Sequence, residues 1–238
     1  MDILNLGAGN KPVKGAMIAI VIPAKDEAET IGSLCLQGPA TVIVVDDGSR
    51  DGTGEIAQDV GAIVIRHDIS QGIGPSIRDG MRWAIEMSDA ERIVIMDAGG
   101  SHRPWDRPAR LPTDADIVIG SRFMRGSEYV GGCWWRRMAS RVMAVMCNLA
   151  QSGPWLTDWT SGYRAYSRGA ARAVVGYSCF AKMYAWQMEV LARLREDGFT
   201  VCEVPITYCS GRSSLRLSGM IEAVTVWLQI LHHRQGAR

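Results

Sequence analysis

Apolar runs without polar alternation punctuate the first half of the chain at residues 17–22 (MIAIVI), 41–45 (TVIVV), 62–66 (AIVIR), 92–96 (RIVIM) and 116–120 (DIVIG). Short runs of this kind read as strands buried on both faces. The stretches between them read differently. AKDEAETIGSL and DGTGEIAQDV turn and enter helices, and GPSIRDGMRWAIEM places Ile77, Met81, Ala84 and Ile85 on one helical side. Strands alternating with helices predict an α/β fold with a mostly parallel sheet covered on both faces.

The second half changes character. CWWRRMASRVMAVMCNLA (133–150) reads as a helix with basic and aromatic residues at its start, and DWTSGYRAYS (158–167) as a loop and a short strand. MYAWQMEVLARLRE (183–196) has helical spacing at Met183, Trp186, Val190 and Leu194, with Glu189 and Arg193 set for an i,i+4 pair. TVCEVPITY (200–208) is a strand. Met220, Val224, Trp227 and Leu231 form a stripe on a last amphipathic helix, extended by Ile221 and Leu228. Packing onto the sheet is the plain reading of that stripe, and a membrane-surface helix the sharper one. The expected organisation is an N-terminal extension (1–16) and one domain (17–238), whose halves divide at residues 122 and 123.

Composition narrows the function classes. The chain has 238 residues, 47% hydrophobic and 21% charged, which suits one ordinary globular core. A net charge of +1 gives no global pull toward nucleic acid or anionic membrane, so any basic site is local. The six cysteines show no CxxC pair and read as buried free thiols of a reducing compartment. The longest apolar segment, MIEAVTVWLQIL, is interrupted by Glu222 and Gln229 and is too short to span a bilayer. A cytoplasmic protein is expected, with a peripheral position at the membrane face as its variant.

Polar clusters follow three of the strands: Lys25, Asp26 and Glu27; Asp46, Asp47 and Ser49; and Asp97. Parallel sheets bind ligands at the carboxyl ends of their strands. Asp97 ends a buried run in IVIMDAGGSH, yet Gly99 stands where a second carboxylate would complete a metal site.

These segments together resemble the family 2 glycosyltransferases of GT-A fold, and within them the polyprenyl (dolichyl) phosphate mannose synthase group. VIPAKDEAETI is similar to the family's opening motif, VVDDGSRDGT matches its second motif almost letter for letter, and GIGPSIRDGM resembles its glycine-rich stretch. IVIMDAGGSH stands where the family has DxD, while IVIGSRF, WRRMASR and DWTSGYRAY resemble later segments.

The resemblance implies a Rossmann-like nucleotide-binding half and an acceptor-binding half. It implies an inverting transfer of a hexose from a nucleotide-sugar donor to a polyprenyl monophosphate. Pro23, Ala24, Glu27, Asp46, Asp47, Gly74, Asp97, Arg212 and Ser213 would bind the donor. Arg122, Arg136, Ser140 and Arg164 would bind the acceptor, and Asp97, Arg122 and Asp158 would serve catalysis, Asp158 as the candidate base. Asp97 would hold Mg²⁺ or Mn²⁺, weakly because Gly99 replaces the second Asp; Mg²⁺ is often held by one or two carboxylates plus substrate phosphates. Arg216 stands in place of a family lysine. ILNLGAGNKPVKGA resembles the start of an S-adenosylmethionine-dependent methyltransferase, without the βαβ unit such an enzyme needs.

Two rival readings remain. One keeps the donor half but gives the acceptor a hydroxyl, on a glycan or on a modified nucleobase in DNA, where basic and aromatic residues at 134–141 would stack. The other is a non-catalytic nucleotide-sugar-binding protein.

Overall fold

The computed structural model describes residues 11–12, 16–36, 40–102, 114–210 and 217–236. Most of the expected N-terminal extension, together with Arg212, Ser213 and Arg216, lies outside them.

The apolar runs become β1 (Ile18–Ala24), β2 (Thr41–Asp46), β3 (Ile63–Arg66), β4 (Arg92–Ile95) and β5 (Ile117–Ser121). With β7 (Arg164–Ser167) and β8 (Val201–Pro205) they form a seven-stranded sheet of order β3-β2-β1-β4-β7-β5-β8. Only β7 runs against its neighbours. The mostly parallel sheet is therefore as the apolar runs require. Each run alternates between two cores. Val21, Ile43, Ile93 and Ile117 face one side, and Ile20, Val44, Val94 and Val118 the other.

Helices α1 (Ala28–Cys35) and α2 (Thr53–Asp59) cover the second side with Ile31, Leu34 and Ala57. The first side carries α3 (Ile73–Met87), α4 (Trp134–Ala150), α5 (Arg168–Gly176), α6 (Trp186–Glu196) and α7 (Leu217–Gly236). Ile77, Met81 and Ala84 of α3 are buried as their spacing requires. The expected 200–208 strand divides at Ile206 into β8 and β9 (Thr207–Cys209). There β9 leaves the main sheet and pairs with β6 (Glu128–Val130).

Packing of α3 on the sheet depends on Gly80. A Cβ there would lie 2.3 Å from Val21 Cγ1 and 3.0 Å from Val45 Cγ2. Overpacking a filled core costs about 1–3 kcal/mol. Gly80→Ala is expected to lose that much unfolding free energy and so lower the chemical denaturation midpoint, and a denaturation curve with an unchanged midpoint would contradict it.

Helix α7 corrects the simple reading of its stripe. Val226 and Ile230 are buried, with Trp227 and Leu231 packed against the core. Met220, Ile221, Val224 and Leu228 face solvent. Glu222, which interrupts the apolar pattern, accepts the backbone N–H groups of Lys182 and Met183. Among the described residues all six cysteines are free thiols; Cys35 and Cys147 are buried, but Cys133 is exposed.

Candidate active site

The loops that leave β1 and β2 are stitched to each other. Asp26 N–H donates to Ser49 Oγ, Arg50 N–H to Asp26 Oδ1, Glu27 N–H to Thr53 Oγ1, and Ala28 N–H to Asp51 Oδ2. Asp26 takes a positive φ of 54°, a conformation that Asp tolerates better than most side chains. Much of VVDDGSRDGT therefore builds the rim. Asp46 Oδ1 accepts Ser49 N–H, and Oδ2 packs over Gly54.

Asp47 departs further from expectation. Its buried carboxylate accepts from the Ser70 hydroxyl and from Gln71 and Gly72 N–H, and pairs with His67. Its bonds to its own chain leave little acceptor capacity for a base or ribose, so it organises the loop ahead of α3. Gly74 is likewise a packing position. A Cβ there would meet Trp186 Cδ1 at 2.5 Å.

His67 joins this loop to α3. Its Nδ1 lies 2.8 Å from Asp47 Oδ1 and its Nε2 lies 3.3 Å from Asp79 Oδ2. The hydrogen bond to Asp79, then that to Asp47, raises its pKa against the effect of burial. Burial would raise the Asp47 carboxyl, but the Gln71, His67, Ser70 and Gly72 hydrogen bonds together hold it below the ordinary range. The His67 contribution is complete below about pH 6.5 and is lost as pH rises through its raised value. The Asp47 contribution is present above about pH 3.9 and is lost as pH falls through its lowered value. Protection factors of the Gln71 and Gly72 amides are expected to decline as pH rises above about 6.5 through the raised His67 value. Constant protection as pH rises above that point, after correction for intrinsic exchange, would exclude the clamp.

Asp97 follows β4. Its Oδ2 lies 3.0 Å from His102 Nε2, and the His102 ring is stacked on Tyr163 and tilted against Tyr208. Burial alone would raise the Asp97 carboxyl. The hydrogen bond and charge of His102, with the charge of Arg122, hold it lowered. Its carboxylate lies over Gly162, where a Cβ would sit 2.9 Å from Oδ1. This bare backbone leaves room for an ionised carboxylate at the strand end, a hard oxygen donor suited to Mg²⁺ or Mn²⁺. No group of three or more His, Cys, Asp or Glu able to hold a metal occurs among the described residues.

Glu27 stands beside this site. Burial raises its carboxyl pKa, Thr30 offsets this, and the charges of Asp51, Asp97 and Asp26 add to the rise.

Close to Asp97, Arg122 anchors a second cluster. Its Nε and Nη2 donate to Asp158 at 2.7 and 2.8 Å, and Nη2 also reaches Thr160. Asp158 further accepts the N–H groups of Arg122 and Thr160 and the Thr160 hydroxyl. Burial opposes its charge, but Arg122 and these hydrogen bonds keep the carboxyl lowered. Asp158 is 0% exposed and its lone pairs are occupied. The expected base is thus an anchor for Arg122. Arg164 is also corrected. It is fully buried and donates to the carbonyls of Ser161, Gln187 and Trp159, so it braces the loop and does not face an acceptor.

An aromatic layer carries further arginines. Arg122 and Arg141 both lie against Phe123, Arg122 also against Tyr208, and Arg137 against Tyr129. Phe123 stacks on Tyr129, which contacts Tyr208. Arg136 instead lies against Trp135, and its buried Nε has no hydrogen-bond partner among the described residues. Ser140 is half-buried. The structure brings Asp97, His102, Tyr208 and Arg122 together, with Arg141 and Arg137 reached through the rings. Sequence reasoning did not single out Arg137 and Arg141, which lie against these rings. Their i,i+4 spacing matches that of Arg136 and Ser140, and only the placement of Phe123 and Tyr129 tells the two faces apart.

Comparison with known proteins gives concordant results. A family model described as Glycosyl transferase family 2 matches residues 19–174. An undecaprenyl-phosphate mannosyltransferase of Micrococcus luteus is 35% identical over 203 residues, covering 80% of this chain and 83% of that protein. A polyprenol monophosphomannose synthase of Mycolicibacterium smegmatis is 31% identical over 238 residues, covering 92% and 89%. In structure, a glucosyl-3-phosphoglycerate synthase of Mycobacterium tuberculosis, solved with Mg²⁺ and uridine diphosphate, superposes with a TM-score of 0.68 at 19% identity. It covers 92% of this chain and 80% of that one. At that identity the likeness speaks for the fold, which is GT-A.

Proposed function

The chain belongs to glycosyl transferase family 2, and from that premise we propose that it moves a hexose, with inversion, from a nucleotide-sugar donor to a polyprenyl monophosphate. The two curated relatives act on lipid phosphates by their names, and their similarity extends over most of the chain. The observation that carries the acceptor class is Asp158. The carboxylate that a hydroxyl acceptor would need as base is bound up with Arg122, Thr160 and backbone amides. A phosphate monoester needs no such base, because its second pKa is about 6 and its oxygen is already anionic near neutrality.

The donor lies against the ends of β1, β2 and β4, with Pro23, Ala24 and the Asp46 loop around the base. Asp97, together with the donor pyrophosphate, would hold Mg²⁺ or Mn²⁺, which supplies positive charge where the diphosphate departs. Arg122, Arg137 and Arg141 orient the acceptor phosphate, and the rings of Phe123, Tyr129 and Tyr208 keep the guanidinium groups in place. The test is transfer from GDP-mannose and from UDP-glucose to a short-chain polyprenyl phosphate or to the corresponding alcohol. The phosphate should be glycosylated and the alcohol left untouched. Transfer to the alcohol at an equal rate would favour a hydroxyl acceptor.

The same reading places the protein on a lipid surface. Trp134, Met138, Val142, Val145 and Leu149 form an exposed apolar face on α4, with Trp134 77% exposed. Helix α7 packs beside α4 and exposes Met220, Ile221, Val224 and Leu228. Among the described residues no helix is long and apolar enough to cross a membrane. Apolar faces with arginines and tryptophans at their border suit the headgroup boundary. Val142→Asp with Leu228→Asp is expected to abolish co-flotation with phosphatidylglycerol vesicles while leaving the melting temperature near that of the wild type. Undiminished flotation would exclude this face.

A further inference from the structure

Gly99 leaves the site after β4 one carboxylate short, and the fold brings another to the same place. A Cβ added at Gly99 would lie 3.6 Å from Glu27 Oε1 and 3.9 Å from Oε2, with no other atom of the described residues beyond its chain neighbours within 4 Å. An Asp side chain at 99 would therefore project toward the space the Glu27 carboxylate occupies. Glu27 is held there by the start of α1. Its carbonyl accepts Thr30 and Ile31 N–H, and its own N–H is bound to Thr53 Oγ1. Thr30 Oγ1 donates to the Ala98 carbonyl at 2.7 Å, tying α1 to the residue between Asp97 and Gly99.

The Glu27 carboxylate itself is nearly unpartnered. Its one side-chain hydrogen bond among the described residues is a long one from Thr30 Oγ1, at 3.4 Å. It is half-buried and lies within the field of Asp26, Asp51 and Asp97. Among the described residues Glu27 forms no ion pair, and a divalent ion beside Asp97 would supply the balancing charge.

We propose that Glu27, from the loop after β1, replaces the missing residue-99 carboxylate and joins Asp97 in holding the divalent cation of the donor diphosphate. The inference rests on the glycosyl-transfer reading and its metal. It changes the assignment of Glu27 from a wall of the base pocket to a ligand. It also makes the site one whose ligands come from two different strand ends.

The test is direct Mn²⁺ binding in the presence of GDP and, separately, UDP, read from loss of the free-ion electron paramagnetic resonance signal. Glu27→Gln keeps the size of the side chain and its contact with Thr30. It is expected to weaken Mn²⁺ binding at least tenfold, about 1.4 kcal/mol, while nucleotide affinity measured without metal stays unchanged. Gly99 has no positive φ, so an Asp there fits the backbone. Adding Gly99→Asp to Glu27→Gln should restore Mn²⁺ affinity to within threefold of wild type. In the otherwise wild-type protein, Gly99→Asp should lower the melting temperature without metal and raise it with Mn²⁺ and nucleotide, a readout available even if Glu27→Gln fails to fold. Wild-type Mn²⁺ affinity in Glu27→Gln, alongside a clear loss in Asp97→Asn, overturns the role of Glu27 and leaves the metal reading standing. Unchanged affinity in both variants overturns the metal reading itself.

Discussion

Replacing Asp158 with Asn is expected to cost about 3–5 kcal/mol of stability, the range for removing one partner of a buried ion pair. Arg122 is then left with its charge in a site where the partner carboxyl was 0% exposed. Against a total stability of about 5–15 kcal/mol this is a large loss. At about 2–4 °C per kcal/mol for a chain of this size, the melting temperature should fall by roughly 6–20 °C. The pH dependence has a definite sign. The carboxyl is lowered in the folded state, so its contribution is present above about pH 3.9 and disappears as pH falls through the lowered value. The wild type should therefore lose stability under acid that the Asn variant has already lost. Combining Arg122→Met with Asp158→Asn removes both charges and keeps an oxygen for the backbone amides of Arg122 and Thr160. It should regain part of the stability but none of the transfer to a lipid phosphate. A double variant that regains both would remove Arg122 from the acceptor site.

Asp97→Asn is expected to reduce transfer by about 10²–10³, the scale for losing one preorganised electrostatic group. The fold should survive, because the Asn oxygen can still accept from His102 Nε2 and no second carboxylate depends on it. A melting temperature near that of the wild type with near-zero turnover is the expected pair of results. Full turnover would place the chemistry elsewhere. The contrast with Asp158→Asn is informative. Both carboxylates are lowered and both touch the same cluster, but Asp158 is spent on Arg122 while Asp97 faces the strand end.

How much of the candidate site was legible in the chain differs from residue to residue. The position of Asp97 at the end of β4 was legible from the apolar run before it, and the arginines at the start of the helix at 134 from their place in the sequence. The strongest motif misled in one respect. Asp47 sits in VVDDGSRDGT, yet the structure turns it inward onto Ser70, Gln71 and Gly72. A motif records which residues are kept together. It does not record whether a carboxylate meets a ligand or its own backbone. Arg164 misled in the same way, since a guanidinium can serve three carbonyls as readily as a phosphate.

The sequence by itself determined what depends on neighbours along the chain. Strand positions follow from uninterrupted apolar runs, helix faces from spacing such as Ile77, Met81 and Ala84, and the α/β order from their alternation. These are set by burial of local surface and by backbone periodicity. Only the tertiary structure decided what depends on residues far apart. Residues 27 and 99 converge through α1 and the loop after β4, and 122 and 158 through the crossover that puts β7 between β4 and β5. Which face of α7 meets solvent was decided by the packing of Val226 and Ile230 against the core. Partners in such contacts are chosen by the closure of the whole chain, and a carboxylate or guanidinium takes its charge state and its role from whichever partner that closure delivers.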